Sequence, residues 1–562
     1  MRVSDPIETE DATGHTSPQT LAAHDTHLNK DIEASEESKT AVALPSNQPR
    51  TLAPWLAYSL FILCTISFLI PLMRTLVVGS DEGSLLDGSV RIVHGQLFAR
   101  DFFEVMGPGT FYWMAAFFKL FGITFLASRI SLFIPLLGTG LIIYYLSRRV
   151  CAWYRLMPCL ILAATYFGVL SQSESHHADS NFFALLAVVC LVLWNEKPRI
   201  SFLIASGALA GLTTWFLQPK GMLLLCSFLV WIFLQRSRIN SYRSSSLWVI
   251  GSYISVIGLV LLYFYSQGAL SGIAYANFTF PSHHYAAVND VSYAHDIHAY
   301  WNFLTKQSGR PQWFAGIAAI LVTPFLFVAA LPVILLGLAA RYKWRTVKSE
   351  IQLYWLSGCS LWLSEFHRRD IHHLAYGSPL LILLCFHMLG ESRNNFWAVV
   401  VRFVGVCAMC LTVFSCLVAA KIPSVATRVG HVAFFGTGTV PVLRFLDDHV
   451  QPQQEVFIYP YSPTYYFLSA TTNPTPYSIL LYDYNTPSQF DEVVSILEQR
   501  KVLYVIWDTT WQFNSASNFS RSLPTKDPNG LIVEPYLKAH YNVIEDHDGI
   551  LIMERKNDPS AK

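Results

Sequence analysis

Long apolar runs separated by short polar loops fill the chain from Pro54 to Ala419. A helix needs about 20 apolar residues to cross hydrocarbon, and on that measure the pattern predicts about eleven spans. The first is Pro54 to Arg74; the next five are Phe125 to Ser147, Leu156 to Ser171, Asn181 to Trp194, Ile200 to Leu217 and Gly221 to Gln235. The remainder are Leu247 to Tyr265, Phe314 to Ala340, Leu353 to Ser364, Leu374 to Leu389 and Phe396 to Ala419. Between the first two spans, Leu85, Leu86, Val90, Ile92, Val93 and Leu97 form an amphipathic stretch expected to lie in the interface plane. Phe111 to Phe121 is too short to span and is expected to rest against the bilayer with its aromatic rings at headgroup depth.

After Lys421 the pattern changes. The strand-like runs EVFIYP (Glu455 to Pro460), KVLYVIW (Lys501 to Trp507) and GILIMER (Gly549 to Arg555) accompany a helical pattern at Gln489 to Arg500. That combination predicts a small α/β unit. The fold class is therefore mostly α: a polytopic transmembrane helix bundle with outer interfacial helices and a small C-terminal α/β domain. Residues 1–50 are polar, lack the apolar core of a signal peptide and are expected to be a disordered tail. Residues 51–420 form the membrane portion and 421–562 the soluble domain.

The placement of charge orients these spans. Cytoplasmic loops collect Lys and Arg, and one alternate set holds Arg148, Arg149 and Arg155, then Lys197 and Arg199, then Arg236, Arg238 and Arg243, then Arg341, Lys343, Arg345 and Lys348. The opposite set is rich in histidine and acid: His176 and His177, His283 and His284, Asp370 and His372. An odd span count then puts the N-terminus in the cytoplasm and the tail after Lys421 outside. Composition agrees with a lipid setting, since 52% of residues are hydrophobic and only 14% charged. With 39 basic and 38 acidic side chains the net charge is +1, which argues against a nucleic-acid partner. The ten cysteines fall almost wholly within apolar runs and read as small packing residues.

The densest signal is the first outer loop, SDEGSLLDGSVRIVHGQLFARDFFEVMGPGTFYWMAAFFKLFG, from Ser80 to Gly122. Its Asp81-Glu82, Gly95, Arg100-Asp101-Phe102, Pro108 with Tyr112 and Phe121-Gly122, followed by Arg129, stand in order over some fifty residues. In this the sequence resembles the integral-membrane (GT-C type) glycosyltransferases that use polyprenyl-phosphate sugars, the protein O-mannosyltransferase and aminoarabinose transferase-like superfamily. The likeness continues more weakly through GALAGLTTWFLQPKG (Gly207 to Gly221) and the tail segment Ile458 to Tyr477. The resemblance implies a polyprenyl-phosphate sugar donor, a protein, lipid or glycan acceptor, and a bacterial plasma membrane.

Such a transfer needs a base for the acceptor hydroxyl and a cation for the departing phosphate. Asp81 is the expected base, with Glu82 beside it, and Asp101 is expected to orient the acceptor or Arg100. Lys220, Arg100 and Arg368 or Arg369 are the cations available for donor phosphate. Glu174 or Asp179, in SQSESHHADSN, is expected to bring a second acid to the site. Histidine pairs around His176, Asp179 and His372 make a divalent cation possible, but their spacing is not specific enough to require one, so no cofactor is expected. The segment His283 to His298 reads as an acceptor-side lid. A transporter or flippase of lipid-linked sugars is the competing class; ionisable residues in mid-span and two related halves would mark it, and the chain has neither pattern.

Overall fold

The structure is a computed structural model. It describes residues 54–76, 81–165, 175–238, 241–285, 291, 316–317, 320–321, 323–339, 347–391, 395–434, 438–482, 484–511 and 531–556. The chain divides into two compact units, 1–59 and 60–562. Of the first, only 54–59 are described, as the opening turns of a helix. The expectation for residues 1–50 falls outside the described residues, as does most of the segment from His283 to His298.

Helices α1 to α9 run Pro54–Met73, Asp81–Val93, Pro108–Phe121, Phe125–Val150, Met157–Thr165, His176–Glu196, Ile200–Phe216, Gln218–Leu234 and Tyr242–Ser266. A short α10, Leu270–Ala274, follows; then come α11 Phe327–Ala339, α12 Ser349–Ser364, α13 Ile371–Tyr376, α14 Pro379–Gly390 and α15 Asn395–Lys421. Their starts carry local signals. Thr124 Oγ1 accepts from the Ala127 amide at 3.1 Å, Ser175 Oγ from His177 at 3.2 Å and Asp370 Oδ1 from His373 at 3.0 Å, each satisfying an amide that the first turn leaves unpaired. Prolines open α3, α8 and α14, where the missing N–H costs nothing.

Four of these helices, α4, α6, α9 and α15, are each long and apolar enough to cross a membrane, and shorter apolar helices accompany them. They are not equivalent. Helix α6 lies inside the bundle, whereas α9 turns most of its surface outward: 72% against 17% of the apolar window is buried. Helix α7 packs closely on α9 because Gly207 has no side chain. A Cβ there would lie 2.2 Å from the Val249 carbonyl oxygen, so the two backbones meet through a small residue, as membrane helices commonly do.

The residues after Lys421, joined by Thr75–Leu76, form two small sheets. In the first, β1 (Thr75–Leu76), β2 (Ser424–Thr427) and β3 (Gly430–Phe434) take the order β1-β3-β2, with β1 parallel to β3. Arg74 Nη1 also donates to the Ala420 carbonyl at 3.0 Å, so the C-terminal ends of α1 and α15 are joined. Helix α16 (Thr439–His449) leads to a sheet of order β4-β5-β7-β6, with β4 Val456–Tyr459, β5 Tyr504–Asp508, β6 Tyr541–His547 and β7 Ile550–Arg555. Helices α17 (Thr464–Ser469), α18 (Pro487–Arg500) and α19 (Val533–His540) complete the region. The three expected strands and the helix are present, and β6 joins them.

Helix α2 departs from expectation. It is not a half-exposed interfacial helix: Glu82 to Ser89, Arg91 and Ile92 are buried. Its polar side is neutralised internally by the Asp87–Arg91 pair at 3.0 Å and covered by the C-terminal region. Arg91 Nη2 donates to the Thr475 carbonyl at 2.9 Å, and Ser478 Oγ donates to Asp87 at 2.9 Å. At Gly83, an added Cβ would lie 2.4 Å from Thr464 Oγ1 and 2.7 Å from its amide nitrogen, so α17 seats directly on α2. Leu85, Leu86, Phe98, Phe111, Tyr465 and Leu468 share one core.

Candidate active site

The adjacent acids Asp81 and Glu82 have opposite fates. Asp81 opens α2 and is exposed, and Tyr461 Oη donates to its Oδ1 at 2.5 Å. Glu82 is buried in an ion pair with Arg129, which also donates to the Thr75 carbonyl at 3.0 Å. A buried carboxylate held this way fixes the start of α2 against α4, while Asp81 stays exposed.

The structure adds Glu104. It is buried on the loop between α2 and α3, with Oε1 free of any hydrogen bond among the described residues. Burial pushes its carboxyl up to about 8; the nearby charges of Asp87 and Asp81 push the same way, while a hydrogen bond from Ser478 and the charge of Arg91 oppose them. At neutral pH it is the protonated member of an acidic group comprising Asp81, Asp87 and Glu104. Its flanks, Phe102, Phe103, Val105 and Met106, were the sequence signal for burial.

A second cluster joins the starts of α6 and α8 to the end of α12. Lys220 Nζ lies 2.6 Å from Glu365, 2.8 Å from Asn181 Oδ1 and 3.0 Å from Ser180 Oγ. His177 Nδ1 meets the other Glu365 oxygen at 2.8 Å, and its ring stacks on Tyr376 with centroids 5.0 Å apart. Beside it, Asp370 accepts from Arg368 Nε and pairs with His373 Nδ1, each at 2.8 Å. Those partners outweigh the effect of burial and hold the Asp370 carboxyl below the ordinary range. Tyr376 is near enough to Asp81 to feel its charge, which links the two clusters.

Asp179 is also buried at this end and accepts from Thr110 Oγ1 at 2.8 Å, tying the start of α3 to the start of α6. Asp81, Asp179, Lys220 and Arg368 thus occupy neighbouring parts of one end of the bundle. Lys220 differs from a free phosphate ligand: it is wholly buried and already neutralised by Glu365, a partner 145 residues downstream.

Arg100 and Asp101 lie elsewhere, past the far end of α2. Asp101 accepts from the Leu97 amide at 2.7 Å and from Arg100 at 2.9 and 2.8 Å, closing a turn. The Arg100 hydrogen bond is the main reason its carboxyl is lowered. Glu174 lies outside the described residues. His176 packs on the His177 ring with centroids 4.0 Å apart, and His372 is exposed on α13. Among the described residues no group of three His, Cys, Asp or Glu side chains is arranged to hold a metal ion, and His176, Asp179 and His372 form no such set.

This architecture, a bundle of apolar helices with a C-terminal α/β portion, is a membrane-protein fold. It matches the crystal structure of ArnT from Cupriavidus metallidurans bound to undecaprenyl phosphate, with a TM-score of 0.56 and 12% identity over 89% of this chain and 98% of that one. The likeness in fold thus covers most of the chain. No protein-family model matches the sequence. No curated protein matches it by sequence.

Proposed function

We propose that this chain is a membrane glycosyltransferase that moves a sugar from a polyprenyl-phosphate donor to an acceptor hydroxyl at the non-cytoplasmic face. The observation that carries the reading is Asp81: an exposed carboxylate beside acids that are paired or protonated. Undecaprenyl phosphate in the ArnT structure supports the class of donor. Residues after Lys421 are placed outside as the soluble portion, with 51–420 as the membrane portion; reporter fusions after Ala419 test that placement.

In the proposed step, Asp81 accepts the proton of the acceptor hydroxyl as that oxygen bonds to the anomeric carbon. The bond from that carbon to the phosphate oxygen breaks, and polyprenyl phosphate leaves. Tyr461 holds Oδ1 of Asp81, so Oδ2 faces the acceptor. Glu104, holding its proton at neutral pH, adds no second negative charge beside the base. Half-buried Arg368 meets the departing phosphate, exchanging part of its contact with Asp370. Lys220 acts through Glu365 and His177 as a positioning residue.

The test is release of polyprenyl phosphate from a lipid-linked sugar by purified wild type and Asp81→Asn. Donor binding should persist in the variant while release collapses. Turnover near wild type would remove Asp81 from the role of base, and donor movement across the bilayer without release would favour a flippase.

A further inference from the structure

A cavity of about 380 Å³ opens at the far end of α2, where that helix meets α3 and the end of α9. Its lining includes Arg100, Lys119, Gln96, Tyr112 and Tyr263, with two cations and no carboxylate. Asp101 offsets Arg100 from outside the lining, whereas Lys119 forms no ion pair among the described residues. Counting Asp101, the local charge is still positive. Gln96 Oε1 is buried without a hydrogen bond among the described residues, an acceptor left without a donor.

The surroundings fix what reaches this cavity. Helix α9 is the outward-facing apolar helix, and Leu259, Leu262, Tyr263 and Tyr265 are exposed along the half that borders the cavity. Leu120 and Phe121 are exposed beside Lys119 at the end of α3. Exposed tyrosines and a lysine at the end of a lipid-facing helix mark headgroup depth. The cavity begins near Ile92, and the eleven residues from Asp81 span about 16 Å of helix, too far for a phosphate there to be the one displaced beside Asp81.

We propose that this cavity binds the phosphate headgroup of an anionic glycerophospholipid, as a site separate from the proposed donor site. Lys119 and the guanidinium of Arg100 meet the phosphate, a headgroup hydroxyl donates to Gln96 Oε1, and the acyl chains lie along the exposed face of α9.

Native mass spectrometry of the purified full chain tests this with phosphatidylglycerol, phosphatidylcholine, undecaprenyl phosphate and inorganic phosphate. Phosphatidylglycerol should be retained one to one, phosphatidylcholine should not, and Lys119→Gln should lower retention about tenfold, as expected for loss of one charge-assisted contact. Lys119 is exposed, so its variant will fold. Ala116→Trp, which fills the cavity while keeping both cations, should abolish retention. Equal retention by wild type and Lys119→Gln overturns the proposal, as does equal binding of phosphatidylcholine. Displacement by millimolar inorganic phosphate would instead make this a soluble-anion site, and Lys119-dependent displacement by undecaprenyl phosphate would make it the donor's. Lipid retention is read without turnover, so failure here leaves the glycosyltransferase reading standing, and the reverse.

Discussion

The two ends of α2 carry the same kinds of side chain in contrasting settings. At its start, Glu82, Glu104, Lys220 and Glu365 are buried, and the C-terminal residues wall the site through Tyr461 and Ser478. Beyond its other end, Arg100, Asp101 and Lys119 are accessible, and the cavity opens beside a helix that faces lipid. Burial at the first end sorts the acids: Glu82 is locked to Arg129, Glu104 holds a proton, and Asp81 stays exposed. At the second end Asp101 closes a turn and pairs with Arg100 in the open. Sequence position alone does not make a carboxylate reactive; its surroundings do.

The largest effect should come from breaking the first end. Asp81→Asn removes the proton acceptor and should lower turnover by a factor of ~10²–10⁴, measured as polyprenyl phosphate released under saturating donor. Glu82→Gln should act on stability, because Arg129 loses its buried partner. A dead but stable Glu82→Gln would exchange the roles of the two acids.

Lys220→Met tests the buried pair. It leaves Glu365 uncompensated at 0% exposure, and removing one partner of such a pair costs about 3–5 kcal/mol. Thermal unfolding in detergent should show the loss, with Lys220→Met, Glu365→Gln recovering part of it. A stable Lys220→Met that loses only donor affinity would return Lys220 to the role of phosphate ligand.

The third effect is a pH dependence. Glu104 titrates at about 8 against an ordinary 4.5, so above 4.5 the folded chain keeps a proton that the unfolded chain has released. Its contribution is fully present below 4.5 and is lost as pH rises to about 8, with a slope on the order of 1 kcal/mol per pH unit. The stability of Glu104→Gln relative to wild type should therefore grow across that window. A difference that stays flat would show that Glu104 is ionised when folded.

The smallest effect belongs to the far end. Asp101→Asn disrupts an exposed ion pair, which water screens, and keeps an oxygen for the Leu97 amide, so stability should barely change. Because the substitution also unmasks Arg100, retention of phosphatidylglycerol should rise. A collapse of turnover in this variant would bring Asp101 back to the reaction and erase the contrast between the two ends.

The apolar runs made the helices legible, but the polar caps Ser175 and Asp370 start two of them several residues before the apolar runs at Asn181 and Leu374. The strands at Val456, Tyr504 and Ile550 were equally readable from their alternating and continuous apolar patterns. The partners were not legible. Glu365 closes an apolar run and looks like any polar boundary until the fold carries it to Lys220, and nothing local to Tyr461 points to Asp81. Helix α2 misled for a related reason: its amphipathic pattern is that of a surface helix, yet a second layer arrives from the C-terminal region and covers the polar side. Glu104 is the harder acid to read: a charged turn such as Arg100-Asp101 is conspicuous in sequence, whereas an acid among phenylalanines becomes informative only when its burial is known.

The hydrogen bond from Tyr461 to Asp81 joins residues 380 positions apart. A ribosome adding about 5–20 residues per second needs roughly 20 to 80 seconds to make the intervening chain. Throughout that interval α2 waits without the layer that will cover it, and Asp81 without the phenol that holds it. The proposed catalytic end is therefore assembled last, so a growing chain halted before Tyr461 carries the helices already made but not the finished site.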